Sequence, residues 1–320
     1  MTSFFACIIL FAIGLKLGDV AGRRRLLTKK RIRRLFLKAT GGHGPWSIGI
    51  LEGSSPFELT EHGHISNPVL SAKDVTDLDA LFVADPFMHG ENGQFYMFFE
   101  TMGRRDEKGR IAVASSTDGL TWQYERIVLE EGFHLSFPNV FTWDGKIYMV
   151  PESSDDWSVR LYEADSFPFS WKHVGNLISG YKFKDPSPFF HDGLWWMFVS
   201  CGRNEVANLF YAEDLLGKWH AHGQNPIVLR DKTRARSAGR VISYKDRLFR
   251  IVQDSSKKYG RQVFAWEIIR LSPDSYEERI VNRTPIVTAS GKGWNKAGMH
   301  TLNLYEVRGR WLGLVDGRRF

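Results

Sequence analysis

The chain has 320 residues, a formal charge of +7, 43 % hydrophobic residues and 11 Trp, 10 Tyr and 23 Phe, the composition of a folded, aromatic-rich and β-rich protein. Ten Lys or Arg against Asp19 put +9 within residues 1–40, so the remainder nets −2; a nucleic-acid-binding body, which carries its basic charge on the folded part, is excluded. Two cysteines, Cys7 and Cys201, exclude a disulfide framework, and with no CxxC or Cys/His cluster no metal or other cofactor is expected.

Residues 4–15, "FFACIILFAIGL", are the only long apolar run. It is short of the roughly 20 residues a bilayer needs, and the basic tract follows it rather than precedes it. Residues 1–43 therefore read as an apolar and basic leader, with membrane association expected through residues 4–34. A membrane-associated or secretory location and a cytoplasmic one both stay open, since the positive-inside tendency would hold the following domain in the cytoplasm.

From residue 46 the chain changes character. "WSIGILEGSSPFELTEHGHISNPVLS" (46–71) reads as a strand pair with nothing beside it. Then one phrase recurs: "ADPFMHGENGQFYMFFE", "SFPNVFTWDGKIYMVPE", "KDPSPFFHDGLWWMFVS", "AGRVISYKDRLFRIVQD" and "HTLNLYEVRGRWLGLVD", at offsets of 52, 48, 54 and 62 residues. Each copy is two apolar runs around a turn at Asn92-Gly93, Asp144-Gly145, Asp192-Gly193, Lys245-Asp246 or Arg308-Gly309, a hairpin signature. Four copies are followed by a second strand pair. Four antiparallel strands in about 50 residues is the unit of a β-propeller blade.

The fifth hairpin ends too near residue 320 to have an outer pair, and the spare pair stands at residues 46–71. The expected fold is an all-β, five-bladed β-propeller over residues 44–320, closed by the N-terminal strands joining the last blade. Trp122, Trp171 and Trp219 recur in phase and are expected in blade cores; of Trp195 and Trp196, adjacent on one strand, at most one can face the axis.

In a propeller the start of the first strand and the end of the second lie on one face. That geometry gathers Asp85, Glu100, Glu152, Asp185, Asp254 and Asp316 around one axial mouth, with His134, Arg236, Arg240 and His300 nearby. Such a crowd splits carboxyl pKa values, as glycosidic chemistry requires. The alternative, that a strand-end acid only accepts turn N–H bonds, weighs most on Glu100, Asp254 and Asp316. Asp85 and Asp185 both precede proline, which stiffens the local backbone and aims the carboxylate.

Asp-Pro opening the first and third blades resembles the glycoside hydrolase family 43, 32 and 68 group. The phrases "ADPFMHGENGQFYMFFET", "HLSFPNVFTWDGKIYMVPES", "SFPFSWK", "RSAGRVISYKDRLFRIVQD" and "KKYGRQVFAWEI" resemble, more closely, the N-terminal domain of plant glucosamine inositolphosphorylceramide transferases. The family 43 resemblance implies Asp85 as general base and Asp185 as the residue that orients and tunes the acid. The proton donor of that pattern is a fourth-blade glutamate, and here the fourth blade reads "RSAGR". Glu152 is then the candidate acid on geometric grounds. Glu100, His134, Arg236, Arg240, Asp254 and His300 are the expected substrate-binding residues, Arg240 being suited to a phosphate or carboxylate. The plant resemblance implies a glycan or glycolipid ligand and a glycosyltransferase partner. Two functions follow: a glycoside hydrolase-like enzyme, or a non-catalytic glycan-binding module beside a transferase.

Overall fold

The computed structural model describes residues 46–61 and 63–320; the leader, residues 1–43, and its reading as a membrane-associating segment lie outside the described residues. Five small antiparallel sheets form a five-bladed propeller, and helix is confined among the described residues to short 3-10 turns at Ser154–Asp156 and Gly293–Asn295. No described helix is long and apolar enough to cross a membrane.

The first blade runs Ala80–Glu91, Gln94–Gly103, Gly109–Ser116, Gln123–Leu129, and the second Ser136–Trp143, Lys146–Glu152, Ser158–Ser166, Ser170–Ser179. In the third, Lys184–His191, Leu194–Cys201 and Val206–Ala212 are regular, but the outer edge is only His220–Ala221 and Val228–Leu229. The fourth has a broken inner strand, Arg236–Ser237 and Ile242–Tyr244, beside Arg247–Asp254, Gln262–Ser272 and Ser275–Ile280. The fifth pairs Leu302–Val307 with Arg310–Arg318 and then takes Trp46–Ser55 and Glu58–Glu61 from the other end of the chain.

That closure holds through an unbroken antiparallel register from Trp46↔Arg318 to Gly53↔Trp311. Ile48 and Ile50 are fully buried in it, so the clasp joins hydrophobic burial to ladder hydrogen bonds. Removal of residues 1–55 is expected to leave Arg310–Arg318 as a bare apolar edge that drives the chain into aggregates. Soluble, monomeric protein by size-exclusion chromatography after that truncation would contradict the clasp.

Two sequence echoes have physical explanations. The Asn67 side chain bonds both the N–H and the C=O of Ile50, each at 2.9 Å, and Asn225 does the same to Leu209 at 2.8 and 2.7 Å. In both blades an amide side chain thus completes the outer edge of a third strand. The indole N–H groups of Trp122, Trp171 and Trp219 donate to the carbonyls of Gly119, Pro168 and Leu215 at 3.0–3.1 Å, which ties each outer strand to its preceding turn. Trp195 and Trp196 are both buried, in different inter-blade clusters, so neither faces the mouth.

Candidate functional site

Asp85, Phe137 and Asp185 hold one position in the first three blades, and all three have left-handed backbones, with φ of 54°, 49° and 47°. Each precedes a proline, and the strand register skips there: between Ala84 and Phe87, Ser136 and Asn139, Lys184 and Ser187. The X-Pro pair is thus a bulge at the rim of each inner hairpin, a device that re-aims a side chain at a cost of about 1–3 kcal/mol per strained residue. The fourth blade departs from this. A Cβ on Gly239 would lie 2.1 Å from the Leu302 carbonyl oxygen, so that position cannot carry a side chain.

The bulges bring two linked groups together. In one, Asp316 accepts from the N–H groups of His300 and Thr301 at 3.0 and 3.1 Å and from that of Asp85 at 3.2 Å, while His300 Nδ1 lies 2.8 Å from the same carboxylate. His300 Nε2 then stands 3.5 Å from Asp85 Oδ1. In the other, Arg236 grips Asp185 in a two-pronged ion pair through Nε and Nη2. Glu152 accepts from the Asp185 N–H at 3.2 Å and the Ser154 hydroxyl at 2.8 Å, with Arg236 Nη2 3.8 Å away. Glu100 faces His134 Nε2 at 3.4 Å, and His134 Nδ1 accepts from the Gly109 N–H, which leaves the ring proton on the Nε2 side.

Asp85, Glu100, Glu152, Asp185 and Asp316 are all buried, and Arg236 reaches two of them, Asp185 and Glu152. Burial, then repulsion from Glu100, Asp316 and Asp185, holds the Asp85 carboxyl well above its usual range. Burial and the neighbouring Glu152 and Asp316 do the same to Glu100. Burial and Asp185 push Glu152 up to about 8, so it carries its proton at neutral pH. For Asp185 and Asp316 burial also pushes upward, but Arg236 and His300 respectively outweigh it and hold both below the usual range. Burial lowers His134. The mouth therefore contains fixed anions beside protonated acids, the split expected when close carboxylates cannot all ionise.

Not every expected residue joins this cluster. Asp254 accepts from the Ser256 N–H and the Gln262 amide, both at 2.8 Å, the turn-bonding role. Arg240 donates to the main-chain carbonyls of Met88 and Val140 at 3.3 and 3.1 Å and packs over the Tyr305 ring at 4.5 Å. It cross-ties the inner strands of the first two blades. Asp85, His300 and Asp316 place ligand atoms within 4.8 Å of one another, a set that could hold a small cation although no metal spacing is visible in the sequence.

Three residues of the mouth face escape a template built on hairpins alone. Tyr259 lies 5.2 Å from the Arg236 guanidinium and from the His300 ring, and Trp46 tilts over His300 at 4.2 Å. Trp157 follows the turn that carries Ser154, has φ of 58° and is 53 % exposed. An exposed tryptophan in a left-handed backbone is unusual, and Tyr181, 49 % exposed, sits on the segment whose Gly180 N–H bonds the Trp157 carbonyl. All three lie on or beside the loops that connect second to third strands or open the clasp, where no repeat marks them.

A family described as glucosamine inositolphosphorylceramide transferase 1, N-terminal, matches residues 39–318. Proteins named glucosamine inositolphosphorylceramide transferase 1 from Oryza sativa subsp. japonica and Arabidopsis thaliana are each 35 % identical to the chain, over 302 and 300 residues. The alignments cover 87 and 86 % of this chain but only 40 and 39 % of those proteins, so the chain spans well under half the length of its curated relatives. Among solved structures, an exo-beta-1,3-galactanase from Clostridium thermocellum is similar with a TM-score of 0.54 at 18 % identity, over 66 % of this chain and 51 % of that one. A family 117 glycoside hydrolase from Zobellia galactanivorans gives 0.52 at 17 % identity, over 74 and 84 %. These likenesses establish a glycoside hydrolase-like propeller fold. On the match over residues 39–318 and the 35 % identity to the plant proteins, the chain belongs to the glucosamine inositolphosphorylceramide transferase N-terminal family.

Proposed function

We propose that this propeller is the saccharide-recognition domain of a glycolipid-directed glycosyltransferase system, holding a glycan or glycolipid head group at its acidic mouth. Attachment to a membrane through residues 1–43 and work beside a transferase domain belong to the same reading. The observation that carries it is the Arg236–Asp185 ion pair. Where the hydrolase pattern calls for a fourth-blade acid, this chain supplies a guanidinium that binds the third-blade aspartate. With that aspartate neutralised by an arginine and no acid on the fourth blade, the mouth lacks the proton donor of the hydrolase pattern while keeping polar groups that can bind sugar hydroxyls. Trp157, exposed and next to the turn that bonds Glu152, offers a ring face on which a sugar can stack.

A second reading is supported by Glu152, protonated at neutral pH and bonded by Ser154 and the Asp185 N–H, which are the properties of a general acid in glycoside cleavage. One experiment separates the two. The purified full chain is incubated with furanosides, pyranosides and inositol-linked glycans while sugar release and binding are both followed. The recognition reading expects binding without release, weakened about tenfold in Trp157→Ala by loss of one stacked ring, with Trp157→Phe retaining most of it. Sugar release that vanishes in Glu152→Gln would establish the hydrolytic reading instead.

A further inference from the structure

Beside the acidic mouth, three loops meet on one surface. Arg318 N–H donates to the Gly298 carbonyl at 2.9 Å, and the Ala297 N–H to the Arg318 carbonyl at 2.7 Å. A Cβ on Gly298 would lie 2.2 Å from the Gly260 carbonyl oxygen, so the backbones at 260 and 298 touch. Residues 255–261, 289–300 and 317–320 contain no Asp or Glu. Lys257, Lys258, Lys292, Lys296 and Arg319 are exposed there. Between these segments Arg318 is 2 % exposed, stacks at 5.3 Å on the Trp46 ring, and has Nε and Nη2 without a hydrogen-bond partner among the described residues.

A buried guanidinium with open donors is costly, and a neighbouring lysine, Lys258, adds to that cost. Partial burial and the nearby Arg318 together lower the Lys258 ammonium's affinity for its proton, which places the two charges close together. Tyr259, next in the chain, feels the charges of Asp85, Asp185 and Asp316. The cationic shelf thus adjoins the acidic mouth across one tyrosine.

We infer that the shelf of Lys257, Lys258, Lys292, Lys296 and Arg319, around Arg318, binds a phosphate ester carried by the saccharide that occupies the mouth. This rests on the mouth being a saccharide site and adds the ligand's charge and its direction of approach. Guanidinium and ammonium donors together suit phosphate oxygens. The bare sugar would be recognised by the mouth and its phosphate by the shelf. The phosphate can belong to a soluble sugar phosphate or to a lipid head group.

The test titrates the full chain with myo-inositol 1-phosphate by calorimetry, and sediments it with vesicles of phosphatidylcholine doped with phosphatidylinositol or of phosphatidylcholine alone. Lys258→Glu with Lys296→Glu is expected to weaken phosphate binding at least about tenfold and to make the remainder less salt-sensitive. Lys257→Gln with Lys258→Gln, a milder change at exposed positions, should weaken it in the same direction. Lys245→Glu, on a hairpin turn at the other face, should leave it unchanged. Shelf-dependent binding of the soluble ester identifies a sugar phosphate as sufficient; shelf-dependent binding to doped vesicles only identifies the lipid head group. No binding in any arm, or equal loss in Lys245→Glu, overturns the proposal. Neutral-glycan binding measured in the same variants keeps the two readings apart, because it should survive loss of the shelf and is lost only if the mouth itself is not a saccharide site.

Discussion

Arg236→Ala is expected to destabilise the propeller by about 3–5 kcal/mol, the usual effect of removing one partner from a buried ion pair. Arg236 is the cation that holds Asp185 down: its side chain is 13 % exposed and that of Asp185 2 %. Without it, burial is opposed only by Glu152 and His300, and the Asp185 carboxyl must protonate or remain as a buried charge stripped of its main cation. At roughly 2–4 °C per kcal/mol for a domain of this size, the melting temperature should fall by about 10 °C. Arg236→Lys should recover little, since an ammonium cannot form the two-pronged contact. Adding Asp185→Asn to Arg236→Ala should restore part of the loss, because the stranded carboxylate accounts for much of it. Thermal melts of wild type, Arg236→Ala, Arg236→Lys, Asp185→Asn and the Arg236→Ala/Asp185→Asn double variant decide this. Strictly additive effects in the double variant would show that the pair is not energetically coupled.

The second large effect is on pH dependence. Glu152 has a folded-state pKa of about 8 against an ordinary value of 4.5, so the folded state holds its proton more tightly than the unfolded chain does. The stability this gives is fully present below about pH 4.5 and is lost as pH rises through about 8, on the order of a few kcal/mol in all. Asp85 and Glu100, also raised, add slope of the same sign. Asp185 and Asp316, held below the ordinary 3.8, act oppositely: their stability is present above that value and is lost as pH falls through their folded pKa values. The melting temperature should therefore peak in mildly acidic buffer and decline toward alkaline pH. Glu152→Gln should flatten the decline. Its amide oxygen can accept the Asp185 N–H while its NH₂ faces a reoriented Ser154 hydroxyl. Melting curves from about pH 5 to 9 should show the variant overtaking wild type on the alkaline side. An unchanged slope in the variant would remove Glu152 as the titrating group.

The architecture was legible because a propeller repeats a local unit. Hairpins at Asn92-Gly93, Asp144-Gly145 and Asp192-Gly193 declare themselves through turn chemistry, and five copies at near-constant spacing specify the ring. The clasp could be inferred from an unmatched strand pair at residues 46–71 and an unmatched hairpin at the other end. The same repeat placed Asp85, Glu152, Asp185 and Asp316 on one face, since the ends of inner strands are fixed by the fold. Which of those acids share partners depended on contacts between blades. Asp254 and Glu100 hold the same place in the repeat, yet one bonds its own turn and the other faces His134. Arg236 and Arg240 are four residues apart on one broken strand, yet one meets a carboxylate and the other main-chain carbonyls. Tyr259, Trp157 and the lysine shelf lie on loops outside the repeating hairpins, with no periodicity to mark them. The blades, their order and the face on which the acids stand follow from local patterning and turn residues, which suffice for that. Ion pairing, protonation and the neighbourhood of the shelf were set by the packed blades, because those depend on distances of a few ångströms between residues far apart in the chain, such as Asp85 and Asp316, 231 positions apart.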